Sequence, residues 1–90
     1  MAIGVYFGST GMTTAVYDEA LAKLESAGAG NPPGRIHHAS FGDPADLQVF
    51  DVWNSQAEFD AFGATLMPIL TALGANLAPP EIMEIHNIMS

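Results

Sequence analysis

Two stretches of helical periodicity, each flanked by short β-rich runs, restrict the architectures open to this 90-residue chain. From Thr13 to about Ala27, Tyr17, Ala20, Leu21 and Leu24 recur at the i, i+3, i+4, i+7 spacing of one helix face, while Asp18, Glu19, Lys23 and Glu25 fall mainly on the other. Gly28 closes that segment. The second stretch opens on Ser55-Gln-Ala-Glu58, a capping box in which the Ser hydroxyl accepts from the amide three residues on and the Glu reaches back. Phe59, Phe62, Leu66, Ile69, Leu70 and Leu73 follow at helical spacing. Pro68 lacks a backbone donor and crowds the preceding turn, so a kink or break is expected there.

Between and around the helices, Ala2 to Gly8, Arg35 to Phe41, Leu47 to Trp53 and Glu81 to Met89 read as strands. Gly8-Ser9-Thr10-Gly11 turns the first, Ala29 to Gly34 is irregular, and Gly42-Asp43-Pro44 joins the second to the third as a hairpin. The order β-α-β-β-α-β predicts a single α+β domain over residues 1–90. It is the ferredoxin-like arrangement, with two helices on one face of a four-stranded antiparallel sheet. A sheet with one wet face alternates apolar and polar residues, yet the first strand (Ala2, Ile3, Gly4, Val5, Tyr6, Phe7) and the fourth (Ile82, Met83, Ile85, Ile88, Met89) are largely apolar on both sides. Two helices cover one side only. The other is expected to meet a second copy of the same sheet, giving a homodimer through the sheet face.

Composition narrows the partners. The chain is 49% hydrophobic and has no Cys, so core burial or oligomerisation, not disulfides or thiolate metal sites, must stabilise it. Lys23 and Arg35 stand against ten acidic residues, for a net charge of −8. Such a surface cannot neutralise phosphates, which argues against nucleic acid and anionic membranes as partners. Met-Ala-Ile-Gly-Val-Tyr-Phe-Gly lacks a basic n-region, and the uncharged run Ala61 to Pro80 is interrupted by Gly63, Pro68, Gly74, Asn76, Pro79 and Pro80. A cytoplasmic protein is expected.

The Tyr17-Asp18 pair in the first helix, Pro33-Gly34 followed by His38-Ala39, Asp51-Val-Trp53-x-Ser55 with Phe59 and Phe62, and the closing Ile85-His86-Asn87 resemble the dimeric α/β-barrel superfamily. The pattern is similar to small proteins related to the antibiotic-biosynthesis monooxygenases and spans nearly the whole chain. Its most specific element, Trp53-Asn-Ser55, marks the fold better than a reaction, because members include cofactor-free oxygenases, heme-degrading enzymes, lactone isomerases and proteins without known activity. The heme-degrading relatives carry an axial His about ten residues after the matching Trp. Here that count reaches Gly63, which has no side chain for iron, so heme degradation is disfavoured.

Chemistry is expected at the histidines. His37 and His38 are adjacent on a strand and point to opposite faces, so they cannot chelate one metal together; no Cys and no helical His motif adds a ligand set. No metal and no cofactor is therefore expected. If Phe41 lies opposite Gln48, His38 lies opposite Asp51 and Ile36 opposite Trp53; a one-residue slip brings His37 to Asp51 instead. The resemblance favours His38. A carboxylate fixes the tautomer of a neighbouring imidazole, which suits a general base, although a plain cross-strand hydrogen bond is the competing reading. Tyr6, Tyr17, Trp53, Phe59, Phe62 and His86 complete a candidate ligand-binding set. Core packing is the preferred account of the aromatic residues, and an interface position explains Tyr6. Gly8-Ser9-Thr10-Gly11 resembles a phosphate-cradling turn only superficially, since no Lys follows it. Two functions follow: an enzyme acting without cofactor on a small apolar or aromatic substrate through His38 and Asp51, or a non-catalytic, stress-associated dimer that binds such a ligand.

Overall fold

The computed structural model describes residues 1–89, with β1 (Ile3–Phe7), α1 (Thr14–Ser26), β2 (Arg35–Asp43), β3 (Asp46–Trp53), α2 (Gln56–Ala72) and β4 (Glu81–Glu84) in the expected order. The four strands form one antiparallel sheet in the order β2-β3-β1-β4. The fold is ferredoxin-like. Ile3, Val5 and Phe7 of β1 and Val49 and Trp53 of β3 point to the helices, where Leu24 of α1 and Phe62 of α2 close the core over them. A smaller cluster of Met12, Ala20 and Leu70 ties the two helices together.

Local signals account for the helix ends. Thr13 caps α1, its hydroxyl accepting from the Val16 amide at 3.2 Å. Ser55 caps α2 by accepting from the Glu58 amide at 3.2 Å. The return half of the capping box differs from expectation: the Glu58 carboxylate takes the Ser55 hydroxyl proton at 3.0 Å, not a backbone amide. The Glu58 carboxyl group also lies against Gly34, where a Cβ would stand 2.3 Å from its carboxyl carbon. Gly34 has φ +87°, a backbone conformation that favours glycine. Pro68 does not break α2, which continues to Ala72. Pro68 and Ala64 are both exposed, so the carbonyl that loses its helical partner lies at the solvent side of the helix.

The hairpin is longer than its turn signal suggests. β2 runs through Gly42 to Asp43 and a two-residue Pro44-Ala45 turn follows, closed by the Ala45 amide donating to the Asp43 carboxylate at 2.9 Å. Phe41 pairs with Gln48 and His38 with Asp51, the first of the two registers left open by the sequence. Beyond that point the ladder shifts: Arg35, not Ile36, pairs with Trp53, and Ile36 is an extra, outward-bulged residue with 47% exposure. At the other edge β4 ends at Glu84 and not near Met89. One more bond, from the Ile85 amide to the Ala2 carbonyl, exhausts the partner strand.

The turn after β1 does hold an anion, but one from the protein itself. Ser9 Oγ donates to Asp46 Oδ2 at 2.8 Å, and the Thr10 and Gly11 amides donate to Asp46 Oδ1 at 3.2 and 3.0 Å. These donors, the Ser9 hydroxyl first, hold the Asp46 carboxyl below its ordinary value of 3.8. The buried Thr10 hydroxyl then donates to the Leu47 carbonyl at 2.7 Å, fixing β1 to the start of β3.

Candidate functional site

On the helix-facing side of the sheet, alternation along β3 buries Asp51 between Val49 and Trp53, amid apolar side chains. A carboxylate in that position is costly unless donors surround it. Two are supplied. His38 Nδ1 lies 2.5 Å from Asp51 Oδ1, and the Trp53 indole N–H donates to Oδ2 at 3.4 Å. An ionised Asp51 only accepts, so Nδ1 carries a hydrogen and Nε2 of a neutral His38 has a free lone pair. Across the gap to α1, the Tyr17 hydroxyl is 2.6 Å from that Nε2, the two rings parallel with centroids 6.0 Å apart. In the neutral state Tyr17 donates to His38 and His38 donates to Asp51. The result is a continuous path of hydrogen bonds from α1 to the buried carboxylate.

This path borders a cavity of about 60 Å³ between helices and sheet, lined by His38, Asp51 and Tyr17 together with Leu24, Val49, Phe62 and Leu66 among others. A cavity of that size holds a few waters at ~10–15 Å³ each, so a larger ligand must displace side chains such as Leu21, which is 41% exposed. Of the residues named from sequence, His38, Asp51, Tyr17 and Phe62 meet here. Trp53 does not line the cavity: it is fully buried beneath it, edge-on to Phe59 at 5.7 Å and tilted against Phe62 at 5.3 Å. Phe59 faces a separate depression beside Met67, Pro79 and Pro80.

Tyr6 and His86 lie elsewhere. Residues of β1 alternate, so Tyr6 points away from the helices and hydrogen-bonds Gln48 on the uncovered face. His86 follows the end of β4 and is exposed. Among the described residues no group of three or more His, Asp or Glu side chains converges as a metal site, and no helix is long and apolar enough to cross a membrane.

Arg35 lines the cavity and was not evident from the sequence, because strict alternation puts it on the face opposite His38. Its guanidinium carbon stands 5.8 Å from the centre of the Phe62 ring, and one N–H donates to the Gly30 carbonyl at 3.3 Å. The signal that would have found it is Pro33-Gly34, a loop end from which a bulged strand starts.

No protein-family model matches the chain. No curated protein matches it significantly. Solved structures do. A proposed antibiotic biosynthesis monooxygenase from Chloroflexus aurantiacus aligns over 100% of this chain and 98% of its own, at TM-score 0.66 and 16% identity. SnoaB from Streptomyces nogalater, described as a cofactor-independent oxygenase, aligns over 98% of this chain and 93% of its own, at TM-score 0.61 and 15% identity. A conserved protein from Methanosarcina mazei aligns at TM-score 0.56 and 18% identity, over 92% and 89%. At these identities the likeness is one of fold: the chain has the ferredoxin-like fold of antibiotic biosynthesis monooxygenase structures.

Proposed function

We propose that this protein is a homodimeric, cofactor-independent monooxygenase-like enzyme acting on a small apolar or aromatic substrate. The observation that carries the reading is the Tyr17–His38–Asp51 path at an apolar cavity, with spacings of 2.6 and 2.5 Å. A substrate O–H or acidic C–H placed against the Tyr17 oxygen passes its proton to that oxygen as Tyr17 passes its own to His38 Nε2. The imidazolium so formed is stabilised by Asp51. The substrate is left as a phenolate or enolate. The anion passes one electron to dioxygen, the substrate radical and superoxide so formed recombine in one C–O bond, and the resulting peroxide recovers the proton from His38 through Tyr17. Atoms and charge balance as substrate plus dioxygen to hydroperoxide. The fold shared with SnoaB, described as a cofactor-independent oxygenase, supports the choice.

Self-association is supported by the uncovered face of the sheet. Phe41 and Met83 are 43% and 51% exposed, and Tyr6, Phe50 and Ile85 share that side. A contiguous apolar face of this kind in a small domain fits a second copy better than water. One observation favours the second reading, a non-catalytic binding dimer: both ring nitrogens of His38 already have partners within the chain, so a ligand can occupy the cavity without touching the imidazole.

Oxygen uptake on a panel of quinols and aromatic ketones separates the two. The enzyme reading expects turnover that falls by about a hundredfold or more in Tyr17→Phe and His38→Gln, the range typical of losing a positioned acid–base group. Absence of turnover across the panel, with ligand binding retained, leaves the binding dimer.

A further inference from the structure

Arg35 takes no part in the proton path, yet it borders the same cavity. It does so because of the Ile36 bulge. In a regular strand, residues three apart point to opposite faces, but the extra residue brings Arg35 opposite Trp53 and His38 opposite Asp51, on the same side of the sheet. A bulge costs ladder hydrogen bonds and leaves Ile36 47% exposed, and its one evident effect is to turn a guanidinium inward.

The charge around Arg35 is equally unusual. The chain has ten acidic and two basic side chains, yet among the described residues neither Lys23 nor Arg35 pairs with a carboxylate. Arg35 is held instead by the face of Phe62 and the Gly30 carbonyl. Of the five N–H donors of a guanidinium, one is used, which leaves a planar fork of donors without an anion in a protein rich in anions.

We propose that Arg35 is the anion-binding group of this cavity and that the ligand is a small, mainly apolar monocarboxylic acid. Its carboxylate pairs with Arg35 and its body lies against Leu24, Val49, Phe62 and Leu66. The inference rests on the cavity being the ligand site proposed above and specifies the ligand class. A carboxylate matches the planar fork in two parallel hydrogen bonds, and a monoanion is favoured because a net charge of −8 repels multiply charged ligands. The direction is from recognition to chemistry: a substrate anchored by its acid group at Arg35 presents its other end towards Tyr17 and His38.

Calorimetric titration of benzoate and phenylacetate, with their methyl esters as neutral counterparts, tests the assignment on the whole protein. Each acid is expected to bind about tenfold or more tightly than its ester, a difference of ~1.4 kcal/mol. The preference should disappear in Arg35→Gln and persist in part in Arg35→Lys. Acid and ester binding equally, neither binding, or a preference that survives Arg35→Gln overturns the proposal. Should Arg35→Gln not fold, the acid–ester comparison in the wild type and in Arg35→Lys still decides. An acid preference without oxygen uptake overturns the enzyme reading alone, whereas oxygen uptake without an acid preference overturns the role of Arg35 alone.

Discussion

His38 and Asp51 face each other across the β2–β3 hairpin, Nδ1 2.5 Å from Oδ1, and the carboxylate is buried while the imidazole side chain retains 21% exposure. The Trp53 indole N–H shares the same carboxylate. Asp51→Ala leaves both N–H groups without an acceptor and is expected to cost about 1–3 kcal/mol, read from urea unfolding midpoints. Asp51→Asn keeps the shape and one acceptor oxygen, so its loss should be smaller. Nitrogen-detected NMR should also find the Nδ1–H form of neutral His38 in the wild type and a mixture of tautomers in Asp51→Asn. A wild-type stability for Asp51→Ala would show that the carboxylate does not organise these donors.

The Ser55 cap predicts a separable effect. Ser55→Ala removes the acceptor for the Glu58 amide, 3.2 Å away, and the donor to the Glu58 carboxylate. Stability should fall by about 1 kcal/mol, or ~4–8 °C in melting temperature for a domain of this size. Sedimentation should be unchanged, because the cap lies at a helix end and not on the uncovered sheet face. An unaltered melting temperature would rule out a stabilising cap.

Acid sensitivity follows from Asp46. Its folded-state carboxyl is held below 3.8 by the Ser9 hydroxyl and the Gly11 and Thr10 amides, so the folded state binds its proton less readily than the unfolded chain does. The stabilisation is fully present above the unfolded value near 3.8 and is lost as pH falls through the lower folded value. Asp46→Asn should flatten that part of the stability–pH curve, measured by urea midpoints at successive pH values. Identical slopes for variant and wild type below pH 4 would contradict it, pH 4 being about the reference carboxylate value.

Dimerisation is expected to bury on the order of 1,200–2,000 Å² through the uncovered face of the sheet. Met83, half-exposed on that face opposite Gly4, is the residue to change. Met83→Asp places a charge where a second sheet would exclude water, and sedimentation should shift from dimer to monomer. A wild-type monomer at micromolar concentration would remove the proposal, and with it the need for an apolar face on both sides of β1.

What the sequence alone determined is the order of the elements; it left the hairpin register between two pairings, with His38 or His37 opposite Asp51. The elements depend on local forces: apolar spacing at 3.6 or 2 residues, Ser55 and Thr13 as caps, and Gly28 as a stop all act within a turn or two of chain. Once Phe41 pairs with Gln48, simple counting takes His38 to Asp51. The length of β4 was not legible, because a strand ends where its partner ends, and β1 offers nothing beyond Ala2 for His86 to pair with. Nor was the hydrogen bond from Tyr6 to Gln48, although alternation along β1 puts Tyr6 on the uncovered face. The remaining site required tertiary structure for the same reason. The contact between Tyr17 and His38 depends on how α1 rotates and settles over the sheet, which the helix period does not specify. Arg35 joins them only because the ladder absorbs an extra residue at Ile36, between the pairs Arg35–Trp53 and His37–Val52. Alternation is a property of a regular strand; a bulge is the outcome of two strands and a helix competing for the same space, and it reverses the face of every residue beyond it.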